Sequence, residues 1–165
     1  MNPRPWWALS IALVAIPMWS FSQVPRNTAQ PATANRPKLE AVAETQLIME
    51  ALAQANYRAL TRQLKDKPQE VEAWKFARGQ ALILAETGNL LLLRPPRGQG
   101  QDIWMARAVE LRETSNRLAR TLSTRDYTRS RLGMVEVANV CNRCHQSFRI
   151  KVEVTPFADS SAIVD

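Results

Sequence analysis

Between residues 37 and 150 apolar side chains return every third or fourth position in four runs, each closed by residues that cannot continue a helix. The first run spans about residues 37–64, with Asn35 as candidate cap and Val42, Met49, Leu52, Ala53, Leu60 and Leu64 on one face. Lys65, Asp66, Lys67 and Pro68 end it. The second spans about residues 68–93 and repeats Val71, Trp74, Ala77, Ala81, Leu84, Ala85, Gly88 and Leu92 before Pro95 and Pro96 stop it. The third, about residues 102–122, carries Trp104, Ala108, Leu111, Ser115, Leu118 and Leu122. Ser123 or Thr124 then caps a fourth, about residues 125–150, which aligns Tyr127, Met134, Ala138, Cys141, His145 and Phe148. Four long amphipathic helices with short connections predict an all-α protein, an antiparallel four-helix bundle. With 5 Gly in 165 residues, a many-turned β fold or a glycine-rich nucleotide loop has little to build on.

The flanks differ in composition from this body. Residues 1–22 begin with Arg4 and continue as an uncharged apolar run to about Phe21, which predicts an export signal cut after Ser22 and hence a periplasmic or otherwise extracytoplasmic location. The run is slightly shorter than a comfortable membrane span, and an uncleaved anchor is the alternative. Residues 23–36, rich in Pro, Thr, Ala, Asn and Gln, read as a leader without a core of its own. The bundle domain is expected over residues 37–151, and residues 152–165 as a flexible tail.

Both cysteines and the sole histidine of the chain fall within five residues, Cys141, Asn142, Arg143, Cys144 and His145. Random placement of two Cys and one His gives this order on the order of once in ten thousand trials, and C-x-x-C-H is the attachment pattern of c-type haem. On a helix, Cys141, Cys144 and His145 share one surface at spacings of three and four. Two thioether bonds to porphyrin vinyl groups and one imidazole nitrogen to iron can then come from little more than one turn. Three other readings compete. A redox-active C-x-x-C wants a thioredoxin-like α/β context that the pattern lacks. Zinc finds at most three of its four ligands. A structural disulfide leaves His145 unused.

At this point the chain resembles the class II c-type cytochromes, the cytochrome c′ family, over about residues 38–151. The resemblance is closest where Cys141, Cys144, His145, Phe148 and Arg149 follow the family's Cys-x-x-Cys-His, then aromatic, then Arg. It implies covalent haem c, with Cys141 and Cys144 as thioether attachments and His145 as the proximal iron ligand. Arg149 becomes the basic residue one turn beyond; a plain helix-end cation is its other reading. In the family the first helix supplies the distal residue, a Met making a six-coordinate electron carrier and a bulky apolar residue leaving five-coordinate iron open to nitric oxide or carbon monoxide. Met49 is the candidate distal ligand, with core filling as its alternative role. Met105 and Met134 are weaker candidates. Where family members often carry an arginine about a turn before the distal residue, this chain has Thr45 and Gln46, so no partner for a haem propionate is assigned.

Gly88 is expected either to make room for the porphyrin edge or to allow a close helix contact, and Trp74 and Trp104 either to line the haem or to anchor the core. No paired carboxylates or second titratable group points to enzyme chemistry. The expected role is single-electron transfer, with diatomic gas binding as the alternative. The net charge of +7 and the arginines at 117, 120, 125, 129 and 131 suit a solvated face, an acidic redox partner or an anionic membrane surface. A homodimer is left open, and export disfavours nucleic acid.

Overall fold

The computed structural model describes residues 38–157, and every regular element among them is helical. Helix α1 is one continuous rod with a change of winding: α-helical over Thr45–Ile48, π-helical over Met49–Gln54, and α-helical again over Ala55–Gln63. Helix α2 is Val71–Leu92, α3 is Gln101–Ser123 and α4 is Tyr127–Ser147. The export signal, the leader, the Asn35 cap and the last residues of the tail lie outside the described residues. Among the described ones no helix is long and apolar enough to cross a membrane.

Each connection has a local cause. After α1 the chain turns through Pro68, whose carbonyl accepts a hydrogen bond from Trp74 Nε1 at 3.0 Å, so the tryptophan anchors the foot of α2 in the core. Pro95 and Pro96 keep α2 from continuing. Gly98 and Gly100 then adopt φ of +95° and +86°, a left-handed region that excludes most other residues, immediately before α3. The cap of α4 is not Ser123 or Thr124 but Asp126, whose side chain accepts from the Arg129 amide. Arg125, in left-handed conformation at φ 57°, turns the chain between the two helices, and this moves the start of α4 past the expected cap.

The start of α1 also differs from expectation. Residues 38–44 are not helical, Val42 is 94% exposed, and Leu39 is exposed as well. Their spacing fits the periodicity, but no neighbouring helix covers them, and a helix without a face to bury is not held together. Val71, at the first residue of α2, is likewise exposed. Of the expected stripes, Leu60 and Leu64 at the end of α1, Ala77, Ala81 and Leu84 of α2, Leu111, Leu118 and Leu122 of α3 and Met134 of α4 are buried in one cluster, which Val137 and Val140 of α4, not expected from the periodicity, join. Each fully buried leucine contributes about 2 kcal/mol to folding.

The seams between helices are unequal. The α2–α3 interface is the most extensive and α3–α4 follows, while α1 packs along α2. Gly88 lies where α2 and α3 approach most closely: a Cβ there would meet the Ala108 carbonyl and the Arg112 amide nitrogen at 2.8 Å. Its place is therefore a close helix contact rather than room for a ring. Helices α1 and α4, by contrast, meet through side chains rather than through closely approaching backbones. At one end of this seam the Tyr127 hydroxyl and the Arg131 guanidinium donate to the carbonyls of Leu64 and Lys65. Arg131 is thus a clamp between elements and not part of a freely solvated basic face. At the other end of the molecule, Arg94 just past α2 donates to the Ala43 carbonyl just before α1.

Candidate functional site

The last turns of α4 carry the motif. Cys141, partly buried, packs against the main core cluster, and Cys144 is also partly buried. Both are free thiols. Burial, reinforced by the second thiol, pushes Cys141 up to about 12. Burial also raises Cys144, the nearby Arg107 opposing this and Glu110 adding to it. Protonated thiols are poor nucleophiles, whereas a redox-active C-x-x-C depends on a lowered thiol pKa. The surroundings of these two sulfurs therefore work against thiol–disulfide exchange.

His145 is oriented from behind. Its Nδ1 lies 2.8 Å from the backbone carbonyl of Val152, seven residues on. A carbonyl only accepts, so Nδ1 carries the hydrogen, and in the neutral imidazole Nε2 then keeps its lone pair. The chain reaches that position because α4 ends in a reversal: the Ile150 amide donates to the His145 carbonyl, the Arg149 amide to that of Gln146, and Arg149 itself takes φ 56°. This is the Schellman arrangement, in which the left-handed position usually holds glycine. Arg149 is exposed there, as the residue that turns the backbone. The reversal lays part of the expected loose tail back on α4, where Asn142 makes two hydrogen bonds to Val154 and the Phe157 ring lies 3.7 Å from the Arg131 guanidinium carbon.

Around the motif, Phe148 meets Trp104 of α3 edge to face at 5.2 Å, and Trp104 Nε1 donates to the Leu91 carbonyl at 2.7 Å. Trp104 therefore lies beside the end of α4 that holds the motif, and Trp74 in the core at the foot of α2. Glu110 of α3 accepts from Arg107 at 2.8 Å and from Arg143, the residue between the two cysteines' flanks. Burial opposes ionisation of Glu110, but the hydrogen bonds from Arg143 and Arg107 outweigh it and hold the carboxyl below its usual range.

The candidate distal side is α1. Met49 opens the π-helical stretch and is partly buried against the core cluster. Such stretches are rare and are found preferentially at functional sites. Of the weaker candidates, Met105 is 40% exposed and Met134 is fully buried on α4 itself. Thr45 and Gln46 lie in the first turn of α1, where Gln46 bonds to Glu50. Tyr57, not singled out from the sequence, sits two turns beyond Met49 on the same helix and packs against the same core. Its hydroxyl is buried without a hydrogen-bond partner among the described residues, and burial, with a smaller contribution from Cys141, holds the phenol protonated beyond the usual tyrosine range. A tyrosine at helical spacing from a candidate ligand was the only signal available for it. Asn142 and the carbonyls of Val152 and Val154 were also missed, because backbone acceptors leave no mark in a sequence.

No three His, Cys, Asp or Glu side chains converge on one metal-sized point among the described residues. Thioether attachment needs adjacency of sulfurs and imidazole on one surface, which the helix provides. Comparison with protein-family models, curated proteins and solved structures finds no match to this chain.

Proposed function

We propose that the chain is an exported, periplasmic, monohaem c-type cytochrome of the antiparallel four-helix-bundle kind, acting in single-electron transfer. Haem c would be held through Cys141 and Cys144, with His145 Nε2 on the iron. The observation that carries this reading is the imidazole anchored at Nδ1 on a carbonyl, next to one thiol and one turn from the other on the same helix. That arrangement is the usual support of a histidine iron ligand, because the second nitrogen fixes the tautomer and the ring orientation. Further support comes from the meeting of helix ends at Leu64 with Tyr127 and at Ala43 with Arg94, as an antiparallel bundle requires. The sparse backbone contact between α1 and α4 leaves the seam beside Cys141 to side chains.

When bound, the haem would supply an iron that gains and loses one electron, with a potential set by its axial ligands and surroundings. The chain's own residues do the rest. His145 is oriented by the Val152 carbonyl, Phe148 and Trp104 cover the end of the bundle next to the motif, and Met49 is the candidate second ligand. The charge of +7 suits docking to an acidic redox partner. A second reading, five-coordinate iron taking up nitric oxide or carbon monoxide, is favoured by the Tyr57 hydroxyl, a buried donor with no partner among the described residues.

The absorption spectrum of the mature protein with and without carbon monoxide separates the two. Electron transfer with Met49 ligation predicts a reduced spectrum unmoved by the gas and a Met49→Ala variant that acquires gas binding. A wild-type protein that binds the gas rejects Met49 ligation in favour of the second reading. Haem staining absent from a denaturing gel rejects both.

A further inference from the structure

The segment that folds back on α4 is bonded to it at points that matter for the motif. Asn142 Nδ2 donates to the Val154 carbonyl at 2.9 Å, and its Oδ1 accepts from the Val154 amide at 2.8 Å. Both polar atoms of one side-chain amide are thus spent on one backbone residue. Asn142 and His145, three apart, lie on neighbouring parts of one helix surface. Val152, two residues before the bracketed Val154, presents its carbonyl to His145 Nδ1. Arg131 holds Phe157 further along. A lone carbonyl on a chain end would otherwise fray from its donor, since ordering each backbone residue costs about 1–2 kcal/mol. The two-pronged bond from Asn142 supplies the hold.

We propose that Asn142, inside the C-x-x-C-H motif, is a positioning residue for His145. By bracketing Val154 it keeps the Val152 carbonyl on Nδ1, so that the C-terminal segment of the chain sets the tautomer and the donor strength of the proximal imidazole. This rests on the haem reading above. An imidazole that donates from Nδ1 to a fixed acceptor is the stronger ligand at Nε2 and favours ferric over ferrous iron. Loss of the bracket shifts the balance towards the reduced form.

The test uses the mature, full-length haem protein and its reduction potential. Asn142→Ala is expected to raise the ratio of reduced to oxidised protein at fixed poise roughly tenfold, about 59 mV for one electron. Truncation after Lys151, which removes the carbonyl itself, is expected to do the same, and the two changes together no more than either alone. Asn142→Asp, which keeps the acceptor for the Val154 amide, is expected to lie between. A fall in melting temperature with the potential unmoved in both Asn142→Ala and the truncation assigns Asn142 a merely structural role and overturns the proposal. Should Asn142→Ala fail to mature, nitrogen-15 spectra of wild-type His145 decide: a slowly exchanging Nδ1 hydrogen supports the proposal, and a freely exchanging one overturns it. A wild-type chain without covalent haem overturns the haem reading and this proposal together. A haem-loaded wild type with unmoved variants overturns the proposal alone.

Discussion

The two long seams of this four-helix structure are built on opposite principles. Between α2 and α3 the backbones come so close that Gly88 has no room for a methyl group. Between α1 and α4 the contacts are made by side chains: Tyr127 and Arg131 reach the carbonyls at the end of α1, and Tyr57 is buried with its hydroxyl unspent. The first seam is closed by direct backbone approach, although α3 also carries, at Ser115, a buried hydroxyl without a partner among the described residues. The second has a change of helical winding and an unsatisfied polar atom, and it borders Cys141. Protein interiors are packed to crystal-like density and buried polar groups are nearly always paired. A change of winding and an unpaired hydroxyl on one helix, next to Cys141, mark this seam as the place to look for a non-protein partner.

The contrast can be broken most forcefully at Gly88. Alanine is the better helix former by about 1 kcal/mol, yet Gly88→Ala is expected to lose about 3 kcal/mol in urea denaturation because two backbones must part. A stabilised variant would mean that the α2–α3 seam is no tighter than the other. Next comes Arg131→Ala, which removes charge-assisted bonds to Leu64 and Lys65 and the stacking on Phe157. A loss of about 2 kcal/mol is expected by the same measurement, and no loss would show the α1–α4 seam to hold without its clamp. Smaller still is the effect of Tyr57→Phe in haem-free chain. Deleting an unpartnered buried hydroxyl should leave stability unchanged or raise it by up to about 1 kcal/mol, so a clear loss would pair off the very atom on which the contrast depends.

The smallest effect concerns pH. Because Glu110 is held below its usual range by Arg143 and Arg107, its contribution is present above the pKa of the unfolded chain and disappears as pH falls through the lowered value. These side chains are partly exposed, so the gap between wild type and Glu110→Gln is expected at about 0.5 kcal/mol near neutral pH and to close in acid as the carboxyl is protonated. A gap that persisted in acid would assign it to packing.

Helices α2 and α3 were legible from the sequence to within about three residues, because their stripes are continuous and prolines or glycines stand at their borders. The motif residues on α4 were legible for a different reason, as Cys and His are scarce here and adjacency is itself information. What stayed hidden is non-local or lies in the backbone. Val42 satisfied the periodicity of α1, but burial depends on a neighbour that the pattern cannot count. Asp126 displaced Ser123 and Thr124 as cap because Arg125 turned left-handed, a choice that composition does not announce. The bonds from Asn142 and His145 to the returning segment end on Val154 and Val152, where any residue type would offer the same carbonyl.

The wider winding of Met49–Gln54 divides α1 into two coaxial pieces that are out of step by about one residue, roughly 100° of rotation. Leu60 and Leu64 seat the lower piece, and the orientation of Ile48 and Met49 is consequently uncoupled from theirs. Adding or removing one residue in that stretch would turn the upper piece like a dial while its footing stayed engaged. What the rod presents from its upper half can thus be reset without re-forming the interior below.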